Sequence, residues 1–229
     1  MGTLRLLALT ASVGVVATMV PGQAATAPAA PKPQVTDPAG DANGVNDQGT
    51  GSGVSTSIGT GVDDSNADIT SVVFATKYKT VTTTKLVTTI VKKKKVTKKV
   101  TVSKKVPDGF TVTMNLSAAP DGNHVYDVFA THPSCDGTLD FTYNTGPLAL
   151  DEIDCTANID PTDPGSLLEI STVPGEAAVV GNSVVWTVPA AAFPVGSSFS
   201  GLTAQTESAA DLPVMDEAGD GTATYKVGS

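Results

Sequence analysis

Short segments with alternating apolar and polar residues recur along this chain, and they constrain its fold more than any other feature. In 110–116 (FTVTMNL) every second residue is apolar, and in 183–188 (SVVWTV) Trp186 falls in the same phase as the valines at 184 and 188. Since successive side chains of a strand point to opposite sides, each segment offers one face to a core and one to solvent. The pattern is typical of antiparallel sheets and predicts that Trp186 is a core residue rather than an exposed platform for a sugar ring.

Eight segments rich in β-branched residues are bounded by Gly, Pro, Asp and Asn. They are 68–76, 109–118, 124–131, 138–144, 166–172, 177–190, 198–206 and 222–228. No helical periodicity is evident after the N-terminal apolar segment. We therefore predict an all-β fold, an antiparallel β-sandwich of jelly-roll or immunoglobulin-like type.

The N-terminus has the three-part pattern of a secretory signal peptide. Arg5 is followed by an apolar run over 6–20, and small residues precede possible cleavage points after Ala24 or Ala27. A membrane anchor is the alternative, but the run is shorter than the ~20 residues needed to span a bilayer. We predict a signal peptide over 1–24, a Pro/Ala linker over 25–35, a single domain over 36–229 and a secreted, extracellular location.

Cys135 and Cys155 are the only cysteines. In an exported chain such a pair is expected to form a disulfide, worth about 3 kcal/mol in the chain-entropy model. Two free thiols are the alternative. A zinc site is disfavoured, because neither cysteine has a second ligand at finger-like spacing.

Positive charge is concentrated in one lysine-rich segment, 77–106. It holds eleven of the fourteen Lys and Arg residues and no acid, so the rest of the chain carries 3 − 23 = −20. With this segment removed, 68–76 and 109–118 would be consecutive strands, so it is interpreted as an insertion that forms either a long hairpin or an extended loop. Its Val and Thr content favours strands.

The lysine-rich segment is a candidate polyanion-binding element. Its candidate binding residues are Lys92, Lys93, Lys94, Lys95, Lys98 and Lys99. A polysaccharide or an anionic cell-surface polymer is the expected partner, because the segment has no arginine and only Tyr78 as an aromatic, which argues against specific nucleic-acid recognition. The alternative is that the lysines only shield an exposed sheet edge from aggregation.

Two acidic pentapeptides, DPAGD at 37–41 and DEAGD at 216–220, share one Asp-x-Ala-Gly-Asp spacing. Carboxylates on either side of a Gly-containing turn can converge on Ca²⁺, which takes six to eight oxygen ligands. The candidate ligands are Asp37, Asp41, Asn43, Asp68, Asp216 and Asp220, and Asp63 and Asp64 lie nearby in sequence. The alternative is that these are ordinary turn residues. The pattern is not that of an EF-hand.

The order of Asp-Pro-x-Gly-Asp, a Gly-rich gap and Asp-Ile-Thr at 68–70 resembles the start of DOMON-like sandwiches. That group includes the family-9 carbohydrate-binding modules and the calcium-containing C-terminal sandwiches of some secreted glucan-degrading enzymes. The resemblance implies a β-sandwich, bound calcium and often glycan binding. Those enzymes carry an aromatic-rich stretch after Gly-Asp, whereas this chain has no aromatic residue over 36–73.

No catalytic motif is recognisable. His124 and His132 occur in neither a nucleophile-elbow nor a zinc-protease pattern, and the acidic pairs at 151/152 and 160/163 are expected in solvated turns. We therefore predict no catalytic residue. The predicted function is a non-catalytic, calcium-stabilised binding or adhesion module, with a carbohydrate-binding module or an electrostatic binder of anionic polymers as the alternatives.

Overall fold

The structure, a computed structural model, describes residues 30–42, 64–91, 94–135, 137–146, 150–156, 170–209 and 214–228. The predicted signal peptide, residues 25–29 of the predicted linker, and Asn43, Asp63, Lys92, Lys93, Asp160 and Asp163 lie outside these ranges. Within the ranges there is no helix, and hence no helical segment capable of crossing a membrane.

Twelve strands are formed by the described residues. They are β1 (Val35–Thr36), β2 (Ile69–Val91), β3 (Lys94–Leu116), β4 (His124–Thr131), β5 (Leu139–Asn144), β6 (Leu150–Thr156), β7 (Ile170–Thr172), β8 (Glu176–Val180), β9 (Ser183–Val188), β10 (Ser198–Ser208), β11 (Val214–Ala218) and β12 (Tyr225–Lys226).

The strands form two antiparallel sheets that pack together, which confirms the predicted all-β sandwich. The first sheet has the order β1-β2-β3-β9-β8. The second has the order β11-β10-β4-β5-β6-β7, and β12 pairs with one end of β10. The short β1 and β11 are thus the outermost strands of their sheets.

The core lies between the sheets and is built by the alternation seen in the sequence. Phe110, Val112 and Met114 on β3 are fully buried, as are Val184, Trp186 and Val188 on β9. Phe74, Phe110, Phe199 and Tyr225 form an aromatic group in which the Phe110 and Phe199 ring centroids are 5.2 Å apart. The predicted core position of Trp186 is confirmed.

The ends of several elements differ from the sequence-based boundaries. The fold begins before residue 36, since the Gln34 backbone N–H donates to the Val72 carbonyl and Val35 is buried on β1. The segment 177–190 forms a hairpin of two strands, because Gly181 adopts φ +62° at its turn. Asp151 and Glu152, expected in a turn, are exposed residues of strand β6.

The lysine-rich segment is a hairpin rather than a loop. Strands β2 and β3 stay paired from Ile69–Leu116 to Val91–Lys94, whereas only the part of β3 from Phe110 to Asn115 also pairs with β9. We call 78–91 and 94–107 the lysine ribbon. At about 3.3 Å per residue, its fourteen cross-strand pairs extend roughly 45 Å beyond the sheet.

A bulge separates the lysine ribbon from the sheet. Thr76 pairs with Phe110 and Tyr78 pairs with Pro107, so Lys77 lies opposite both Asp108 and Gly109. Gly109 adopts φ +113°, and a Cβ there would lie 2.1 Å from the Val188 carbonyl oxygen. Glycine is therefore required where the ribbon leaves the core.

Replacing Gly109 by alanine is expected to destabilise the sandwich by about 1–3 kcal/mol. Alanine is strained at this positive φ, and its Cβ would clash with the Val188 carbonyl oxygen. Chemical denaturation followed by tryptophan fluorescence measures this. Gly196→Ala is the control, since Gly196 also has positive φ but a Cβ at this position would have no other atom within 4 Å. Equal losses in the two variants would show that backbone conformation alone, not the close approach to β9, requires Gly109.

Candidate functional site

Three carboxylates converge where the outermost strands of the two sheets meet. Asp37 follows β1, Asp41 lies across the turn from it, and Asp216 is part of β11. Each offers an oxygen within 4.8 Å of the others. The group therefore joins the first sheet to the second, although β1 and β11 do not pair with each other.

Asp68, immediately before β2, adds a fourth carboxylate beside these three. It is 1% exposed, and its Oδ2 accepts hydrogen bonds from the Gly40 backbone N–H at 2.9 Å and from the Ser117 hydroxyl. Its Oδ1 is buried and accepts no hydrogen bond from the described residues, and the same is true of Asp37 Oδ2. Such oxygens are costly to bury without a partner.

Asp216 connects β11 to the start of β2. Its Oδ2 accepts a hydrogen bond from the Ile69 backbone N–H at 2.6 Å, and its Oδ1 accepts one from the Glu217 N–H at 3.0 Å. The side chain is 7% exposed. Asp216 was expected in a turn, whereas the structure places it in a strand with its carboxylate inward.

Burial and repulsion between neighbouring carboxylates disfavour the ionised form of Asp37 and Asp216. The pKa of Asp37 is raised to about 6, first by burial and then by the charges of Asp41 and Asp68. The pKa of Asp216 is also raised to about 6, first by burial and then by Asp37, Asp41 and Asp68. A cation held between the carboxylates would remove this repulsion.

The structure does not bring Asp220 into the cluster. Its exposed carboxylate accepts hydrogen bonds from the Thr222 N–H at 2.9 Å and the Thr222 hydroxyl at 2.6 Å, so it caps the turn before β12. The two pentapeptides thus differ: the first supplies both of its acids, the second only Asp216. Asn43 lies outside the described residues. Asp64 points elsewhere, with Oδ2 3.2 Å from His124 Nε2.

The two histidines hold loops in place. His124 lies between Asp64 and Asp121, with Nδ1 2.7 Å from Asp121 Oδ1. His132 packs against Phe193 and Phe199, and burial lowers its pKa.

A shallow cavity of about 750 Å³ opens beside His132 and Tyr225.

The lysine ribbon forms a separate, strongly cationic surface. Of the candidate polyanion-binding residues, Lys94, Lys95, Lys98 and Lys99 are exposed on β3. Lys92 and Lys93 are in the undescribed connection between β2 and β3. At the base, Lys79 Nζ lies 2.5 Å from Asp108 Oδ1.

A second acidic surface was not predicted from the sequence. Asp127 on β4 lies on the side of the second sheet that faces away from the core. On β5, Asp140 pairs with Phe129 of β4, and on β6, Asp154 pairs with Asp140. Since paired residues share a face, both aspartates lie on the same side of the sheet as Asp127. The phase of HVYDVFAT was the available signal, because Asp127 alternates with the core residues Tyr126 and Val128.

Asp127 and Asp140 resist ionisation. Burial, the charges of Asp140 and Glu207, and opposing hydrogen bonds from Thr142 and Gln205 set the pKa of Asp127 at about 7. Burial and the charges of Asp154 and Glu207 raise the pKa of Asp140 to about 6. This surface is therefore a source of electrostatic strain in the folded state.

The cysteine pair joins the β4–β5 connection to β6. The Cα atoms of Cys135 and Cys155 are 5.4 Å apart, the separation of a disulfide, and the described residues include no free cysteine. The predicted pairing is thereby supported.

Comparison of the chain with known proteins returned no matching family model, no matching curated protein and no matching solved structure.

Proposed function

We propose that this chain is a secreted, non-catalytic binding or adhesion module whose β-sandwich is stabilised by calcium. The observation that supports the metal is the acidic cluster, in which Asp68 Oδ1 and Asp37 Oδ2 are buried without a hydrogen bond among four neighbouring carboxylates. The cysteine pair and the N-terminal sequence pattern support secretion.

Calcium suits this donor set better than other common metals. The donors are carboxylate oxygens alone, which favours a hard cation over zinc or copper. Calcium also tolerates irregular coordination, whereas magnesium demands a near-octahedral shell. An ion held here would join the turn after β1, the start of β2 and strand β11, and so fasten both ends of the domain.

The first test compares thermal unfolding in calcium and in chelator. We expect calcium to raise the stability, by about 2.7 kcal/mol when it is present at a hundred times its Kd. Asp41→Asn should abolish this response, because Asp41 is an exposed member of the cluster whose replacement disturbs no core packing. Differential scanning calorimetry and calcium titration give the two readouts.

Asp220→Asn is the matched control, since Asp220 occupies the same position in the second pentapeptide but lies outside the cluster. It should retain the calcium response. Identical melting temperatures in calcium and chelator would refute the metal site. A loss of response in both variants would show that the effect is not specific to the cluster.

An electrostatic binder of anionic surface polymers is a second candidate, supported by the lysine ribbon. Its eight described lysines are all exposed, and they lie on a two-stranded hairpin that extends beyond the β-sandwich. The carbohydrate-binding alternative has less support, because of the eleven aromatic residues in the chain only Tyr78 is exposed. Ring stacking on a sugar needs an accessible aromatic face.

A further inference from the structure

We propose that one face of the lysine ribbon docks on the surface of an anionic lipid bilayer. The proposal specifies a partner for the ribbon, the second candidate function above, and does not depend on the calcium site. It starts from how the cross-strand register distributes side chains over the two faces.

Directly paired residues of an antiparallel ribbon share a face, and consecutive pairs alternate between faces. Among the pairs in which both side chains are described, one face, here called the valine face, carries Lys79–Val106, Val81–Lys104, Thr83–Val102, Lys85–Val100 and Val87–Lys98. The opposite face, here called the threonine face, carries the pairs Tyr78–Pro107, Thr80–Lys105, Thr82–Ser103, Thr84–Thr101, Leu86–Lys99 and Thr88–Thr97.

The valine face combines apolar and cationic groups in one pattern. In four of these five pairs a lysine lies directly across from a valine, and the lysine alternates between the two strands along the ribbon. Val81, Val87, Val100 and Val102 are 41–51% exposed. Exposed valines in a continuous patch are unusual for a soluble surface and indicate a contact site.

The threonine face carries two cross-strand hydroxyl pairs. The hydroxyls of Thr82 and Ser103 are 3.1 Å apart, and those of Thr88 and Thr97 are 2.9 Å apart. Two lysines, Lys99 and Lys105, lie in the described pairs of this face, and its exposed apolar side chains are Leu86 and Tyr78. The valine face has four lysines in its described pairs and a row of exposed valines beside them, so it combines more charge with more aligned apolar surface and is the face that we assign to binding.

An anionic bilayer accounts for both components of the valine face. The ammonium groups reach the phosphate level, and the lysine stems lie alongside valines at the boundary of the acyl region. A soluble polyanion would engage only the lysines and leave the valines exposed. The backbone groups along the two outer edges of the ribbon have no strand to pair with, and burying them in the hydrocarbon interior would be costly. The ribbon would therefore lie on the bilayer surface and not insert into it.

The acidic body does not prevent this contact. The rest of the chain carries −20, but the ribbon extends roughly 45 Å and the screening length at physiological salt is about 8 Å. A second copy of the chain is a poorer partner for the valine face, since stacking two such faces would bring their lysines together.

The test measures, by co-sedimentation, how much of the full chain binds to phosphatidylcholine vesicles with and without about 30 mol% phosphatidylglycerol, which gives the vesicle surface a negative potential. Heparin chromatography of the same samples reports attraction to a soluble polyanion. The valine-face variant replaces Val81, Val87, Val100 and Val102 by threonine, which keeps shape, charge and strand propensity. The matched control replaces Thr82, Thr84, Thr88 and Thr101 by serine.

We expect binding to the anionic vesicles only, a loss of at least tenfold in the valine-face variant, and an unchanged salt concentration for its elution from heparin. The control should bind vesicles like the original chain. Near-ultraviolet circular dichroism and the calcium titration of the same samples report folding and the metal site separately.

Three results would overturn the proposal. Equal vesicle binding by the valine-face variant would mean attraction through lysines alone. Absent or charge-independent vesicle binding would exclude an anionic bilayer. A concentration-dependent dimer that the valine-face variant loses, without vesicle binding, would assign the face to a second copy of the chain.

Discussion

Replacing Trp186 by alanine is expected to lower the free energy of unfolding by about 3–5 kcal/mol. Trp186 is fully buried on β9 of the first sheet, and its indole N–H donates a hydrogen bond to the Thr142 carbonyl of β5 in the second sheet. Its ring meets Phe141 edge-on at a centroid distance of 6.3 Å. The variant therefore loses packing on both sides of the sandwich, and it leaves a carbonyl without its donor.

Urea denaturation followed by far-ultraviolet circular dichroism measures this loss, because the only tryptophan is removed. Tyr78→Ala is the control: this aromatic is 49% exposed at the base of the lysine ribbon, so its removal should change the stability by no more than about 0.5 kcal/mol. Comparable losses in the two variants would contradict the core position of Trp186.

The prediction for Trp186 could be made from the sequence because alternation is a local signal. A strand with one face buried repeats every two residues, so 110–116 and 183–188 reveal their buried positions without any knowledge of partners. The segment 124–131, predicted from its β-branched residues and the turn residues around it, coincides with β4. The antiparallel sandwich followed from these segments.

Strands β6 and β11 were missed because their sequences look like loops. LDEIDCT and VMDEA are rich in acids, which are rare in strands on average. Their acids are nevertheless tolerated, since Asp151 and Glu152 are exposed and Asp216 is held by the Ile69 N–H. Only the tertiary structure supplies those environments.

The acidic cluster was predictable in part. The spacing of 37–41 indicated that Asp37 and Asp41 could converge, and Asp68 and Asp216 were included as candidates. The sequence could not distinguish Asp216 from Asp220, because that choice depends on β11 entering the second sheet beside β10. It also could not reveal that the convergence bridges two sheets rather than two paired strands.

The lysine ribbon shows how local preference and context combine. Val and Thr favour strands, but an isolated two-stranded ribbon is marginal in water and its lysines repel. In the structure the pairing of 69–76 with 110–116 is fixed by the sandwich, and the ribbon continues it beyond the bulge. The sheet thus supplies the nucleus that the ribbon sequence lacks.

Replacing Asp127 by asparagine is expected to stabilise the protein at pH 8. The folded-state pKa of Asp127 is about 7 against an ordinary 3.8, with burial as its main cause. At about 1.4 kcal/mol for each pKa unit, ionising this carboxyl costs the folded state on the order of 4 kcal/mol. Asparagine carries no charge and can still hydrogen-bond with Thr142 and Gln205, so a substantial part of that cost should be recovered.

The same carboxyl predicts how stability depends on pH. Between the unfolded pKa of 3.8 and the folded pKa of about 7, the folded state binds more protons at Asp127 than the unfolded state does. The contribution of Asp127 to the free energy of unfolding is therefore most favourable below pH 3.8 and is lost as the pH rises to about 7. Asp140, which pairs with Phe129 and lies near Asp154 and Glu207, also has a raised pKa of about 6. It therefore adds a second loss of stability as the pH rises to about 6. In chelator, the melting temperature should therefore fall from pH 5 to pH 8, and Asp127→Asn should flatten this fall.

Glu152→Gln serves as the control, because Glu152 lies on the same side of the second sheet with an exposed carboxylate. It removes one negative charge from the chain, as Asp127→Asn does, without relieving a buried one. If both variants gain stability equally, the effect comes from net charge and the burial of Asp127 is not its cause. If the gain and the flattened pH profile belong to Asp127→Asn alone, the strain lies in the second acidic surface, because that residue faces Asp140 and Glu207 there.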